Sequence, residues 1–122
     1  MPLEEKQQLV DRARRILGEH LRRREPPSPW ERDVPDAYAQ LDGALALALA
    51  GDSGAIATLR RVFYEPGFAV TNSLHEQGLA ALGLALLGDR ESIPWIREVT
   101  PINLNREAKP LALAILDTSS GC

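Results

Sequence analysis

The sequence predicts an all-α fold: a short α-solenoid of antiparallel helix pairs with about six helices. Three observations predict it. Residues 77–99, QGLAALGLALLGDRESIPWIREV, read as a helix, a turn at Gly88-Asp89 and a second helix. An offset of 37 residues lays 40–62 on this stretch without a gap, Gln40 on Gln77, Ala44 on Ala81, Leu45 on Leu82, Leu47 on Leu84, Ala48 on Ala85 and Leu49 on Leu86. Gly51-Asp52 falls on Gly88-Asp89, and beyond the turn Ile56 meets Ile93, Arg60 meets Arg97 and Val62 meets Val99. Third, Leu9, Val10, Ala13, Ile16, Leu17 and Leu21 keep the three-to-four spacing of a helix buried along one stripe. A helix pair duplicated at this period buries its apolar face only by stacking on its copy.

Residues 3–24 form the first helix. Its surface outside the stripe is densely charged, which suits it to cap the end of a stack, where a terminal unit must face water. PPSPWERDVP, 26–35, places three prolines near Trp30 and is read as a linker or packed extended segment. Repeat 1, 36–63, opens with a helix that starts at Asp33 or Asp36 and runs to about Ala50. Its second helix runs from about Ser53 to Phe63. Gly51 and Gly88 suit the left-handed residue that closes a helix. Asp52 and Asp89 follow at once, each placed to cap the next helix by accepting from its free N–H groups. The loop YEPGFAVTN, 64–72, carries Tyr64 and Phe68.

Repeat 2, 73–99, begins with Ser73 and Glu76 in a capping-box spacing. Its first helix runs to Leu87 and its second from about Arg90 to Val99. Pro94 stands in the first turns, where a missing N–H matters least, and Thr100-Pro101 stops the helix. A half repeat, 105–117, is one helix from Asn105 or Arg106 to Leu116, with Pro110 expected to delay or bend its start. LALAIL at 111–116 is apolar all round. Either the long connections fold over it or it meets another chain; the expectation favours a homodimer or partner contact through 106–116.

Leu87, Gly88, Asp89, Ile93 and Pro94 carry a resemblance. The segment LGDRESIPWI is similar to HEAT-like repeats of the phycobilisome-lyase type, in which an Ala/Leu-rich helix is followed by Leu-Gly-Asp and then by Ala-Ile-Pro opening the second helix. The first copy keeps Gly51, Asp52, Ala55 and Ile56 but has Ala57 in place of the proline. The resemblance covers residues 36–117. It implies a fold; members of that superfamily scaffold proteins, attach chromophores or bind nucleic acid.

Composition bounds the rest. The 122 residues make one small domain, 1–122, with 44% apolar and 25% charged residues, ordinary values for a folded chain. A net charge of −3 argues against a global nucleic-acid binder. The lone Cys122 excludes an intramolecular disulfide. Without a signal peptide or a long apolar run, the expected location is cytoplasmic, with no membrane span; LALALA at 45–50 is too short to cross one.

No catalytic, cofactor-binding or metal-binding residues are expected. His20 and His75 have no HxxxH, CxxC or HExxH company, and Cys122 follows Ser-Ser-Gly with neither base nor pocket in sight. Arg12, Arg14, Arg15, Arg22, Arg23 and Arg24 form a basic cluster that would suit phosphates. Yet residues 1–35 hold eight Lys/Arg against seven Asp/Glu, and Asp11 with Arg15 and Arg15 with Glu19 stand at ion-pair spacing. The expected site is a partner-binding groove along the second repeat helices: Arg60, Arg61, Tyr64, Phe68, Trp95 and Arg97. Arg60 and Arg97 would form a ladder there. Trp95 either stands exposed beside it or packs under the 64–72 loop or the Trp30 segment. The expected function is a non-enzymatic protein-interaction or scaffold module. A nucleic-acid binder using the N-terminal arginines and an accessory chromophore-lyase-like protein are the alternatives.

Overall fold

A computed structural model describes residues 3–23, 35–64, 74–99 and 105–118. Among them all regular structure is helical. The α-helices are α1 (Leu3–Arg23), α2 (Pro35–Leu49), α3 (Ile56–Tyr64), α4 (Leu74–Leu86), α5 (Ile93–Arg97) and α6 (Asn105–Thr118). Short 3-10 turns, Ser53–Ala55 and Arg90–Ser92, lead into α3 and α5. The segment around Trp30, Phe68, Ser73 of the capping box and Cys122 lie outside the described residues, as do the side chains of His75 and Glu76.

The repeat is physical at its turns. Gly51 N–H donates to Ala48 and Asp52 N–H to Leu47, at 3.0 and 2.9 Å; Gly88 donates to Ala85 and Asp89 to Leu84, each at 3.0 Å. This is the Schellman closure, with glycine at the left-handed position: φ is +80° at Gly51 and +72° at Gly88. Each turn satisfies the carbonyls its helix would otherwise leave open.

α4 lies between α2 and α6 and packs on both. α3 packs against α2 and α4, and α5 against α6. α1 lies against α2, α4 and α6 together, so it covers the three first helices rather than capping one end of the row. The physical reason is the stripe on α1: Ala13 and Leu17 are fully buried, with Leu9, Val10, Ile16 and Leu21 packed around them. That stripe closes the side of the row that α3 and α5 leave open. α4 is consequently buried all round from Gly78 to Ala85, as an all-apolar helix requires.

α6 is covered by the chain itself. Ala108, Leu111, Ala112, Ile115 and Leu116 are buried beneath α1, α4 and α5, and Leu113 and Ala114 are half-buried. Most of the apolar face that motivated a contact through 106–116 is therefore covered by α4, α1 and α5, and no partner contact on it is shown. α6 also runs through Pro110 instead of starting after it. Arg106 and Pro110 are both exposed, so the carbonyl that loses its N–H partner stands on the wet side. α4 and α6 approach closely at Gly78, where an added Cβ would lie 1.9 Å from Oδ1 of the buried Asn105. No helix of the described residues is long and apolar enough to cross a membrane.

Candidate functional site

α3 and α5 carry most of the expected site residues. Successive residues leave a helix about 100° apart. On α3 this sends Leu59 and Val62 into the core. Phe63 and Tyr64 meet Trp95 of α5. The Phe63 and Trp95 rings stack with centroids 6.4 Å apart and planes 8° from parallel. Tyr64 lies tilted by 38° against the same indole at 5.9 Å. Phe63 and Trp95 are half-buried, while Tyr64 is 56% exposed. The three rings form a slab whose outer edge faces water. Trp95 is thus neither freely exposed nor hidden: its indole lies against two aromatics of the preceding pair. Phe63 went unremarked in the sequence. Its signal was its place one helical turn beyond Leu59, beside the repeat-to-repeat joint.

The arginines separate. Arg60 is withdrawn from any ladder with Arg97. Its Nε donates to Asp89 Oδ2 at 2.8 Å, its Nη2 donates to Asp89 Oδ1, and the same nitrogen reaches Glu91 Oε2 at 3.2 Å. The hydrogen bonds to Asp89 raise the Arg60 pKa above its already high ordinary value, and the Asp89 and Glu91 charges add to the shift. Arg61 turns to α2, where Nη1 donates to Gln40 Oε1 at 3.0 Å. Arg97 is exposed, and no ion pair forms on it among the described residues. Two residues from Trp95, it leaves α5 roughly 200° round the helix from the indole.

The two turn aspartates also differ. Asp52 caps as expected, its Oδ1 accepting from Gly54 N–H at 2.9 Å. Asp89 makes no side-chain cap. Its carboxylate, only 6% exposed, is spent on Arg60; the turn is held instead by Ser92, whose Oγ donates to the Asp89 carbonyl at 2.7 Å. A buried carboxylate needs such a partner, because desolvation without one is strongly unfavourable.

On α1, Arg12 reaches across to Glu107 of α6, Nε to Oε1 at 2.7 Å. Neither expected pair of Arg15 forms among the described residues; Asp11 accepts from Gln7 at 2.8 Å instead. Arg14, Arg15 and Arg22 are exposed, whereas the side chains of Arg23 and Arg24 lie outside the described residues. The shallow groove between α1 and α6 is lined by Arg12 and Arg15 but also by Asp11, Glu19 and Glu107, so it carries no net positive charge. His20 Nε2 lies 3.2 Å from Asp42 Oδ1 and ties α1 to α2. Among the described residues no group of three His, Cys, Asp or Glu is placed to hold a metal ion.

No family model, no curated protein and no solved structure matches this chain.

Proposed function

We propose that the chain is a HEAT-like helical-repeat module, a short solenoid, that works in the cytoplasm as a non-enzymatic protein-interaction or scaffold element. Its partner docks on the aromatic edge between α3 and α5. The observation that carries this reading is Tyr64, more than half exposed and held against Trp95, which is in turn backed by Phe63. Rigid aromatics with one wet edge supply large contact area at small entropic loss, which is why they dominate interface hot spots. Arg97, exposed on the same short helix, leaves it roughly 200° from the indole and is not part of this surface in this reading. Arg60 is a structural tie in this reading and is not part of the surface.

Affinity capture from the native host tests it. Tyr64→Ala removes the exposed ring while leaving the Phe63–Trp95 stack. It should keep the helical circular-dichroism spectrum and lose the captured partner, whereas Arg97→Glu should leave capture unchanged. Undiminished capture by Tyr64→Ala overturns the assignment.

A further inference from the structure

The groove between α1 and α6 changes character along its length. From Arg12 toward Glu19 it is walled by three acids and two arginines. On the other side of the Arg12–Glu107 pair it opens into a hollow of about 460 Å³. Leu9, Leu111 and Ala114 give that hollow an apolar floor, and the exposed Arg106 and Pro110 stand at its rim. Arg12 and Glu107 neutralise each other, so the unbalanced charge of the hollow is the Arg106 guanidinium. No ion pair forms on Arg106 among the described residues. The same wall carries an acceptor without its helical partner. Pro110 has no N–H to give the Arg106 carbonyl, four residues before it in α6.

We infer that this hollow captures the C-terminal residue of a partner polypeptide, one with a free carboxylate and an aliphatic side chain. Each part of such a residue finds its complement. The carboxylate pairs with the Arg106 guanidinium, whose planar fork matches it. The backbone N–H donates to the Arg106 carbonyl and supplies the bond that Pro110 withholds. The aliphatic side chain lies on Leu9, Leu111 and Ala114, a floor of the kind that small-ligand sites combine with a few polar groups. A simple anion would use the guanidinium alone, and a residue inside a chain would bring no carboxylate to it. Asp11 and Glu19 repel a carboxylate from the other end of the groove, so the chain terminus lies at Arg106. The hollow is shallow and holds one residue, so Kd is on the order of 100 μM. This contact is independent of the aromatic edge between α3 and α5.

Backbone-amide NMR of the whole chain tests it, with acetyl-Gly-Gly-Leu added to about 5 mM, far above that Kd. The free acid should shift the amides of Leu9 and of Arg106 to Ala114 in a saturable way and leave those of Tyr64 and Trp95 in place. The same peptide with a C-terminal amide should bind about fivefold more weakly, the upper end for an exposed ion pair. Arg106→Gln should weaken the free acid by a similar factor and leave the amide peptide unchanged, which a loss of fold would not do. Pro110→Ala gives the carbonyl its N–H back and should weaken the free acid about threefold, the effect of one hydrogen bond. Tyr64→Ala should bind the peptide like the parent, which separates this hollow from the α3–α5 surface. No shift up to the highest concentration overturns the inference. So does equal binding of acid and amide, or binding indifferent to Arg106→Gln or to Pro110→Ala.

Discussion

Arg60 of the first helix pair holds Asp89 of the second through two side-by-side hydrogen bonds, from Nε to Oδ2 and from Nη2 to Oδ1. Each residue has a copy one repeat away, and neither copy is so engaged. Arg97 is exposed, and Asp52 is an exposed cap of its own turn. The pair thus fixes one joint, between the α2–α3 and α4–α5 hairpins. It also sets up comparisons in which the same substitution is made at two equivalent positions.

Arg60→Ala should destabilise the fold by about 2–3 kcal/mol, because it strands a buried carboxylate. The loss stays at the low end of that for a buried pair because the Arg60 side chain is 27% exposed and water reaches the joint. Arg97→Ala should fall within about 0.5 kcal/mol of the parent, as for an exposed surface change. Urea unfolding of the two variants checks the asymmetry; equal losses would show that the joint does not depend on the pair.

At the turns, Asp52→Ala should cost about 1 kcal/mol, the usual loss of an N-cap. Asp89→Ala should cost more, about 2–3 kcal/mol, since it strands Arg60 beside Glu91 alone. A double-mutant cycle on Arg60 and Asp89 should return a coupling of about 1 kcal/mol or more, the signature of residues that act on each other directly. A coupling near zero would place the stability elsewhere in the joint.

The glycines give opposite signs. Gly78→Ala drives a Cβ to 1.9 Å from Asn105 Oδ1 and 3.3 Å from the Ala108 Cβ, so α4 and α6 must separate. The expected loss is about 2–3 kcal/mol, as for an overpacked core. Gly43→Ala meets open space in the middle of a helix and should stabilise by about 0.5–1 kcal/mol through helix propensity alone. Thermal unfolding reads both.

Leu84→Ala should cost about 2–5 kcal/mol and Leu47→Ala under about 1 kcal/mol. The two leucines are copies in the sequence, but Leu84 is fully buried and Leu47 is 44% exposed. Chemical denaturation separates them. Comparable losses would mean that the α2 face is covered in solution.

The chain's own residues determined the local structure. Helical spacing, the Gly-Asp turns and the 37-residue period depend on groups only a few positions apart, and each helix lies within about two residues of its expected bounds except α3 and α5, whose expected first turns, Ser53–Ala55 and Arg90–Ser92, are 3-10. α5 ends early because its last N–H groups close tight bonds, Glu98 to Trp95 and Val99 to Ile96, each at 3.1 Å. Of the expected site, Tyr64 and Trp95 were each legible as candidates but their meeting was not. The 65–72 part of the loop and the Trp30 segment, offered as covers for Trp95, lie outside the described residues. The loss of the arginine ladder was not legible either, because spacing cannot tell which arginine finds a buried carboxylate. Tertiary structure alone decided burial. α4 stands in the middle of the row and α2 at its edge, so identical residues have different neighbours: Leu84 is core and Leu47 surface, while Asp89 is an ion-pair partner and Asp52 a cap. The same packing laid α1 across the row and closed α6. A sequence repeat specifies what each helix pair can do; position in the assembly determines which of those contacts form, because desolvation depends on what packs alongside.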